Sequence, residues 1–332
     1  MFLRALTTVT IVSASIPTAF AGEPVPKLGS GVPMIEASPY GDELESTAFF
    51  YSPRSNTYQI GDEWGKKPIT AADLAGSPKL LRAARATAQL GGATGFYLGR
   101  FNGQAIVATN HHVCPTLDAC VGRSARFPLL GKSLRVEKSL GTWTKVDLSL
   151  VTVDIYPEDE ELFASIASNF DFESPLKAGQ RLFTAGFGVA ENPQQRLVAN
   201  QDGDCKVFSN EGDFRLMADP DELNPGTYET WSFANGCDVS HGDSGSAMVD
   251  RQTGKPIGLI WTGKIPKSPV VQSSARLQRL VGSDDPQVWT ELSYGVPAEK
   301  IKEYLTGLLE DGSLPEDVRP TVAAVVGVEG VL

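Results

Sequence analysis

Histidine and cysteine are scarce in this sequence. Its 332 residues include three histidines and four cysteines, and no two cysteines form a Cys-x-x-Cys pair. Structural zinc sites are built from four closely grouped Cys or His ligands, so the sequence favours no metal site. The shortage also narrows the search for a catalytic base, because only His111, His112 and His241 are available.

Basic residues are also fewer than acidic residues. Lysine and arginine total 29 against 40 acidic residues, which gives a net charge of −11 at pH 7. Proteins that bind nucleic acid or an anionic membrane surface usually present an excess of basic residues, so neither is an expected partner. Beyond the N-terminus no apolar run is long enough to cross a bilayer, so the mature chain is expected to lack a membrane-spanning helix.

The N-terminus has the pattern of a secretory signal peptide. Arg4 supplies the positive charge, Ala5 to Ile16 is an uncharged apolar run, and Ala19-Phe20-Ala21 gives the small-x-small sequence that precedes a cleavage site. The apolar run is too short and too rich in threonine for a transmembrane anchor. Residues 1–21 are therefore predicted to be a signal peptide, and the mature protein to be secreted or periplasmic.

The four cysteines are predicted to form two disulfides, because exported proteins keep such bridges. Cys114 and Cys120 are close enough in sequence to bridge a short loop, which leaves Cys205 to pair with Cys237. The alternative is that all four are free, buried thiols.

Composition divides the rest of the chain into three parts. Residues 22–85 begin rich in Pro, Gly, Ser and acidic residues, and are interpreted as a propeptide or N-terminal extension; a helical stretch lies within 71–90. Residues 86–310 contain short runs of β-branched and aromatic residues between turn signals, a spacing typical of a β-barrel or sandwich. Near their end, residues 297–309 have the period of a helix. Residues 311–332 form a tail without an assigned role.

The strongest chemical signal is the run Gly242-Asp243-Ser244-Gly245-Ser246. A serine hydroxyl is a weak nucleophile unless a base activates it and an anion-stabilising pocket faces it. The flanking glycines allow a tight backbone turn, so that the amides of Gly242 and Ser244 can form an oxyanion hole. A glycine-serine surface turn is the structural alternative.

A base and an acid are both available upstream of this serine. His111 and His112 follow a predicted strand, and an imidazole at a strand end suits proton transfer near neutral pH. Asp147 begins an alternating strand and can orient the imidazole, with Asp154 at the far end of that strand as its rival. The paired histidines are not expected to bind a metal ion, because no second histidine or carboxylate cluster completes a site.

The order His, Asp, Ser along the chain distinguishes between classes of serine hydrolase. An α/β-hydrolase needs the histidine last, but no histidine follows Ser244, and its Gly-x-Ser-x-Gly motif fails at Ser246. The subtilisin order needs an acid before His112, where Asp62 and Asp73 lie on no convincing buried strand.

These motifs resemble those of the chymotrypsin-like serine peptidases of the trypsin superfamily, over roughly residues 91–309. The Thr-Asn-His-His run that ends at His112 is similar to the family's histidine motif, and its register selects this histidine over its neighbour. The strand at Asp147 and the segment around Ser244 are similar to the acid and serine motifs. The resemblance implies an all-β fold of two antiparallel six-stranded β-barrels with a C-terminal helix, and a cleft between the barrels that holds the triad.

The resemblance also suggests residues that contact the substrate. Trp261 and Gly263 lie on a strand similar to the one that pairs with substrate backbone in the family. Asp238 lies six residues before the nucleophile, where trypsins carry the aspartate that binds Arg or Lys. Its alternative role is structural, beside the disulfide predicted at Cys237. His241 lines the pocket rim or faces solvent.

Activation is a further expectation from the resemblance. In trypsins a newly cut N-terminal amine pairs with the aspartate before the nucleophile, which is Asp243 here. Ile69, which follows the basic pair Lys66-Lys67, is a candidate new terminus of such a zymogen. The alternatives are that another amine, or a side chain, pairs with Asp243.

Within the family, the serine segment and the spacing of Cys205 and Cys237 are similar to bacterial glutamyl-endopeptidase-like members. The sequence departs from the glutamate-cleaving relatives at Ile260, where they carry a histidine, and from the family at Ser246, where glycine is usual. We therefore predict a secreted serine endopeptidase that hydrolyses protein or peptide substrates through an acyl-enzyme, without a cofactor. The alternative is a catalytically silent binding module on the same fold.

Overall fold

The computed structural model describes residues 55–328, in which antiparallel strands are the main regular secondary structure. The predicted signal peptide at 1–21 lies outside the described residues. Six strands close into a barrel in the order β2-β3-β4-β7-β6-β5. Their bounds are β2 Thr87–Leu90, β3 Ala93–Phe101, β4 Gln104–Thr109, β5 Ser124–Phe127, β6 Lys132–Trp143 and β7 Leu148–Val153. The first of the two predicted six-stranded barrels is thus present.

Strand alternation explains how the barrel is packed. Along β3, Tyr97 joins the apolar cluster inside the barrel with Val107 and Val151, whereas Phe96 and Leu98 point the other way, into the larger core cluster. Successive side chains of a strand point to opposite faces, so a strand that is apolar on both faces can fill two cores at once. This explains why β3, β4 and β7 are buried along nearly their whole length, whereas exposed residues alternate with buried ones along β5.

The second sheet differs from the prediction. It has eight antiparallel strands in the order β1-β9-β8-β12-β13-β14-β11-β10, where a closed barrel of six was expected. Their bounds are β1 Lys66–Pro68, β8 Leu182–Gly186, β9 Val198–Asn200, β10 Arg215–Ala218, β11 Glu229–Asn235, β12 Ala247–Asp250, β13 Pro256–Gly263 and β14 Ser293–Pro297. The edge strand β1 comes from the part of the chain interpreted as a propeptide or extension, and it pairs with β9.

Five helices flank these strands within residues 55–328: α1 Pro78–Ala86, α2 Glu160–Ile166, α3 Ser274–Leu280, α4 Ala298–Glu310 and α5 Arg319–Val326. The helix predicted at 297–309 corresponds to α4. In this part of the chain no helix has the length and apolar character needed to cross a bilayer.

Two helices differ from the sequence interpretation. The helical stretch expected within 71–90 ends with α1, because Thr87 has extended backbone and the four residues Thr87–Leu90 pair with β3, the last two of them also with β5. The tail predicted at 311–332 contains α5, whose Val322, Val325 and Val326 side chains are buried in the core. Burial of these apolar side chains attaches the tail to the body of the protein.

Both predicted disulfides are present. Cys114 is bonded to Cys120, and Cys205 to Cys237. The first bridge closes a separation of 6 residues and the second a separation of 32. In the chain-entropy account, the longer loop gains more from closure, because the bridge removes more freedom from the unfolded chain.

The two bridges should therefore contribute unequally to stability. Replacing Cys205 and Cys237 together with serine should lower the free energy of unfolding by about 4 kcal/mol, and replacing Cys114 and Cys120 together by about 2 kcal/mol. Urea denaturation followed by tryptophan fluorescence measures both. Equal losses in the two double variants would contradict the loop-length explanation.

Candidate active site

The predicted acid, Asp147, lies between β6 and β7 in a left-handed backbone conformation, with φ 33° and ψ 50°. This conformation is unfavourable for most residues other than glycine, although Asp and Asn adopt it more readily than others. Its carboxylate is fully buried, at 0% exposure. Asn110 Nδ2 donates to the Asp147 carbonyl at 2.8 Å. This bond links the segment after β4 to the residue that directly precedes β7.

His112 is held by two contacts with that carboxylate. Its backbone amide donates to Asp147 Oδ1 at 3.1 Å, and its ring Nδ1 lies 2.9 Å from Oδ2. A carboxylate can only accept, so Nδ1 carries the hydrogen and Nε2 is the free acceptor. This is the tautomer that a general base needs. The neighbouring His111 makes a different contact, with Thr142 Oγ1 at 2.6 Å.

Tyr228 is a third partner of the Asp147 carboxylate, and sequence reasoning missed it. Its hydroxyl donates to Oδ1 at 2.8 Å, across 81 residues of chain. Burial, followed by the nearby Asp147 charge, raises the pKa of the Tyr228 hydroxyl far above its usual range, so the hydroxyl remains a donor. No motif surrounds Tyr228, and only the pairing of distant segments brings it to the site.

The charge around His112 favours its protonated form. Burial by itself lowers the pKa of the imidazole, but the Asp147 charge and hydrogen bond raise it, Asp219 raises it further, and the net shift is upward. Asp219 is also shifted: burial raises the pKa of its carboxyl, against hydrogen bonds from Thr262 and the amide of Asp221.

The predicted nucleophile lies in a tight turn before β12. Gly242 and Gly245 on either side of Ser244 have φ values of +92° and +87°. A side chain at residue 245 would place its Cβ 1.9 Å from the carbonyl oxygen of Thr94, so only glycine fits there. The Thr94 amide in turn donates to the Ser244 carbonyl at 2.9 Å. The barrel strand β3 thus holds this turn in place.

Two backbone amides in this turn have no protein partner. Within residues 55–328, neither the amide of Gly242 nor that of Ser244 donates to a protein acceptor. Both residues are partly buried, and two amides separated by one residue can donate to a single anionic oxygen.

His112 and Ser244 line the same cavity, which has a volume of about 250 Å³. Ser244 Oγ makes no hydrogen bond with the imidazole in the described chain, and such contacts are often loose until a substrate binds. Three of the four residues predicted to contact substrate also line this cavity, namely His241, Trp261 and Gly263. The fourth does not.

That fourth residue, Asp238, is turned towards the N-terminal part of the described chain. Its Oδ1 accepts from the Ile60 amide at 2.6 Å and its Oδ2 from the Gly65 amide at 2.7 Å. Burial raises the pKa of its carboxyl to about 8, although these two amides oppose the shift. Asp238 is therefore not among the residues that line the cavity, and backbone amides of the N-terminal part of the described chain occupy its carboxyl oxygens.

The acids that do line the cavity are Asp219 and Asp221, from the loop between β10 and β11. His241 Nε2 lies 2.8 Å from Asp221 Oδ2, and Thr262 donates its hydroxyl hydrogen to Asp219. The sequence carries no signal for this loop, because its position depends on pairing with β11. In the described residues no cluster of three or more His, Cys, Asp or Glu side chains is arranged to hold a metal ion.

The three histidines permit a direct test of this charge arrangement by NMR titration. We expect the His112 imidazole to titrate above its ordinary pKa and His111 below, because burial lowers the pKa of His111. Replacing Asp219 with asparagine removes a negative charge, so the pKa of His112 should fall while that of His111 stays nearly constant. If His112 titrates below His111, or does not respond to Asp219→Asn, this description of the site is wrong.

Comparison with known proteins finds distantly similar solved structures. No curated protein sequence matches the chain. Among solved structures, an inactive form of Rv3671c from M. tuberculosis H37Rv is 16% identical, with a TM-score of 0.46, and the match covers 77% of this chain and 98% of that one. The HtrA-type protease AlgW with decapeptide is 14% identical, with a TM-score of 0.44, covering 74% of this chain and 69% of that one.

A family model matches directly. The trypsin-like peptidase domain matches residues 93–259, just over half of the chain. This range begins at the first residue of β3 and ends within β13, so it contains the candidate residues His112, Asp147 and Ser244. The chain therefore belongs to the trypsin-like peptidase domain family.

Proposed function

We propose that the protein is an exported serine endopeptidase in which Ser244 is the nucleophile, His112 the general base and Asp147 the residue that orients the base. The observation that carries this proposal is the 2.9 Å contact between His112 Nδ1 and the buried Asp147 carboxylate, beside a cavity that Ser244 also lines. The family match supports a peptidase of this type.

The reaction proceeds in two halves. In the first, Ser244 Oγ attacks the substrate carbonyl carbon while its proton passes to His112 Nε2, and the amides of Gly242 and Ser244 donate to the resulting oxyanion. The tetrahedral intermediate then expels the amine, which takes the proton from His112, and an acyl-enzyme remains. In the second half His112 takes a proton from water, and the water oxygen attacks the ester carbon. His112 then returns the proton to Ser244 Oγ as the ester C–O bond breaks and the acid product leaves.

Asp147 stabilises the imidazolium that forms in both halves without taking a proton itself. The Tyr228 hydroxyl and the His112 amide hold the carboxylate in the orientation this requires. Export is supported by the predicted signal peptide and by two disulfides, which persist in oxidising compartments. The expected substrates are proteins or peptides, and AlgW, one of the similar structures, was solved with a decapeptide.

The cavity carries information on which substrate side chains fit. Asp219 and Asp221 both line it, so a glutamate side chain would meet two acids of its own sign. A basic side chain would find oppositely charged partners. The similarity to glutamyl-endopeptidase-like members is therefore proposed as a relationship in sequence and not as a shared preference for glutamate.

A fluorophosphonate probe tests the nucleophile. We expect the mature wild-type protein to be labelled on Ser244, and labelling to vanish in Ser244→Ala. His112→Ala should reduce kcat on a peptide substrate on the order of 10⁴-fold or more, because the hydroxyl then lacks its base. Ser165→Ala, which removes an exposed hydroxyl on α2, is the matched control and should leave labelling unchanged. A folded wild-type protein that takes up no label would favour the silent binding module.

Digestion of a peptide library tests the proposed preference for basic substrate side chains. Cuts should occur beside arginine or lysine, and this preference should weaken in Asp219→Asn because the cavity loses a negative charge. Asp238→Asn serves as the comparison, since its carboxylate faces Ile60 and Gly65 instead of the cavity. If Asp238→Asn alone removed the basic preference, the cavity assignment would be wrong.

A further inference from the structure

A short N-terminal segment, residues 57–68, is built into the second sheet. Strand β1 at its end pairs with β9. The Thr57 carbonyl accepts from the Lys267 amide at 2.8 Å, and the Gly61 amide donates to the Val271 carbonyl at 2.8 Å. Tyr58 and Ile60 are buried at 0% and 1% exposure. This N-terminal segment therefore packs as an integral part of the domain, although the sequence interpretation assigned it to a propeptide or extension.

The N-terminal segment supplies a cation to the residue that precedes the nucleophile. The Lys66 ammonium forms an ion pair with the Asp243 carboxylate, and the two side chains are 2% and 1% exposed. Its neighbour Lys67 is exposed to solvent. The strand thus directs one lysine of the pair into the interior and the other outwards, as strand alternation requires.

Asp243 organises the turn that carries the two unused amides. Its carboxylate accepts from the Ser240 amide at 2.8 Å, from the Ser240 hydroxyl at 3.1 Å and from the Gly188 amide at 3.1 Å. Its backbone amide donates to the Ser240 carbonyl, and its carbonyl accepts from the Ser246 amide. The residues on either side are Gly242 and Ser244, so the position of the Asp243 side chain decides where both amides point.

A buried carboxylate without a counter-charge is strongly unfavourable. Without Lys66, Asp243 would have to move towards water or take up a proton, and either change would move the turn that it holds. In trypsins the counter-charge is an N-terminal amine that appears only after a cut. Here it is a side chain on a strand that is part of the sheet, so the charge is matched with the N-terminal segment attached.

We propose that Lys66 is the positioning residue that holds the Gly242–Ser244 turn in its catalytic geometry, so that the enzyme is active with residues 57–68 attached and needs no cleavage at Ile69. The inference rests on the proposed function. The observation that carries the inference is the ion pair between Lys66 and Asp243. This lysine supplies the positive charge that a zymogen would obtain from a newly cut N-terminal amine. A cut between β1 and β2 would separate Lys66 from the catalytic chain and should not activate the enzyme.

Lys66→Met tests the proposal, since methionine keeps the unbranched apolar stem and removes the charge. We expect kcat on a peptide substrate to fall on the order of 100-fold or more, as when an oxyanion donor is lost, with little change in KM. Affinity for a peptide aldehyde, whose adduct needs the two amides, should fall in parallel. Lys67→Met is the matched control from the same strand and should retain wild-type kcat and KM. A Lys66→Met variant with wild-type kcat would overturn the proposal.

A second variant covers the case in which Lys66→Met does not fold. The double variant Lys66→Met/Asp243→Asn removes both charges of the pair and leaves no lone buried charge. If it folds but retains a low kcat, the positioning role is supported; if it folds with wild-type kcat, the role is refuted. The intact mass of the active wild-type enzyme gives an independent answer, because a fully active form that begins at Ile69 would also refute the proposal.

The experiments distinguish failure of the Lys66 proposal from failure of the proposed function. If the fluorophosphonate probe fails to label Ser244 in the folded wild-type protein, the enzyme assignment itself fails, whatever Lys66 does. If the wild type is labelled and turns over substrate while Lys66→Met equals it, only the role of Lys66 is lost.

Discussion

The buried Asp147 carboxylate is the constraint on which the candidate site depends. It is fully buried at a left-handed backbone position, so donors from other parts of the chain must match its charge. The segment after β4 supplies the amide and ring of His112, and the segment before β11 supplies the Tyr228 hydroxyl. Satisfying one carboxylate therefore fixes the imidazole and also ties the barrel to the second sheet.

The same physical requirement shapes the turn that carries Ser244. Two more carboxylates, Asp238 and Asp243, are buried on that side, and the N-terminal segment meets both: Ile60 and Gly65 donate amides to the first, and Lys66 supplies a charge to the second. The N-terminal segment, which has no regular pattern in sequence, thus packs against the turn and holds both acids in place. Each of these two buried acids has at least one partner from a distant part of the chain, and these distant partners help to hold the turn.

The parts that sequence reasoning predicted best are those with local chemical patterns. Most of the strands lie within residues 86–310, where short runs of β-branched and aromatic residues predicted β structure. Both disulfides follow from cysteine spacing, and the structure brings the predicted His112 into contact with the predicted Asp147. His112 is predicted as the base in preference to His111 because of its register in the histidine motif. These patterns span a few residues each, so they can be identified from sequence alone.

The features that could not be predicted depend on contacts between residues that lie far apart in the chain. Tyr228 and Asp219 have no motif of their own, and their roles follow from how the loop before β11 lies across the site. Asp238 matches the trypsin pocket position in a gapless count, yet the N-terminal segment takes up its carboxylate. The eight-stranded second sheet has the same origin, because β1 is too short and too polar to be identified as a strand from its own residues.

The proposed mechanism requires the Ser244 hydroxyl at the substrate carbonyl carbon, the His112 imidazole beside that hydroxyl, and the two amides at the carbonyl oxygen. A crystal structure of the protein treated with a peptide boronate tests it most directly. We expect a tetrahedral adduct on Ser244 Oγ, with one boronate oxygen within hydrogen-bonding distance of the Gly242 and Ser244 amides and with His112 Nε2 beside the adduct. A folded protein that forms no adduct, or an adduct whose oxygens reach neither amide, would contradict it.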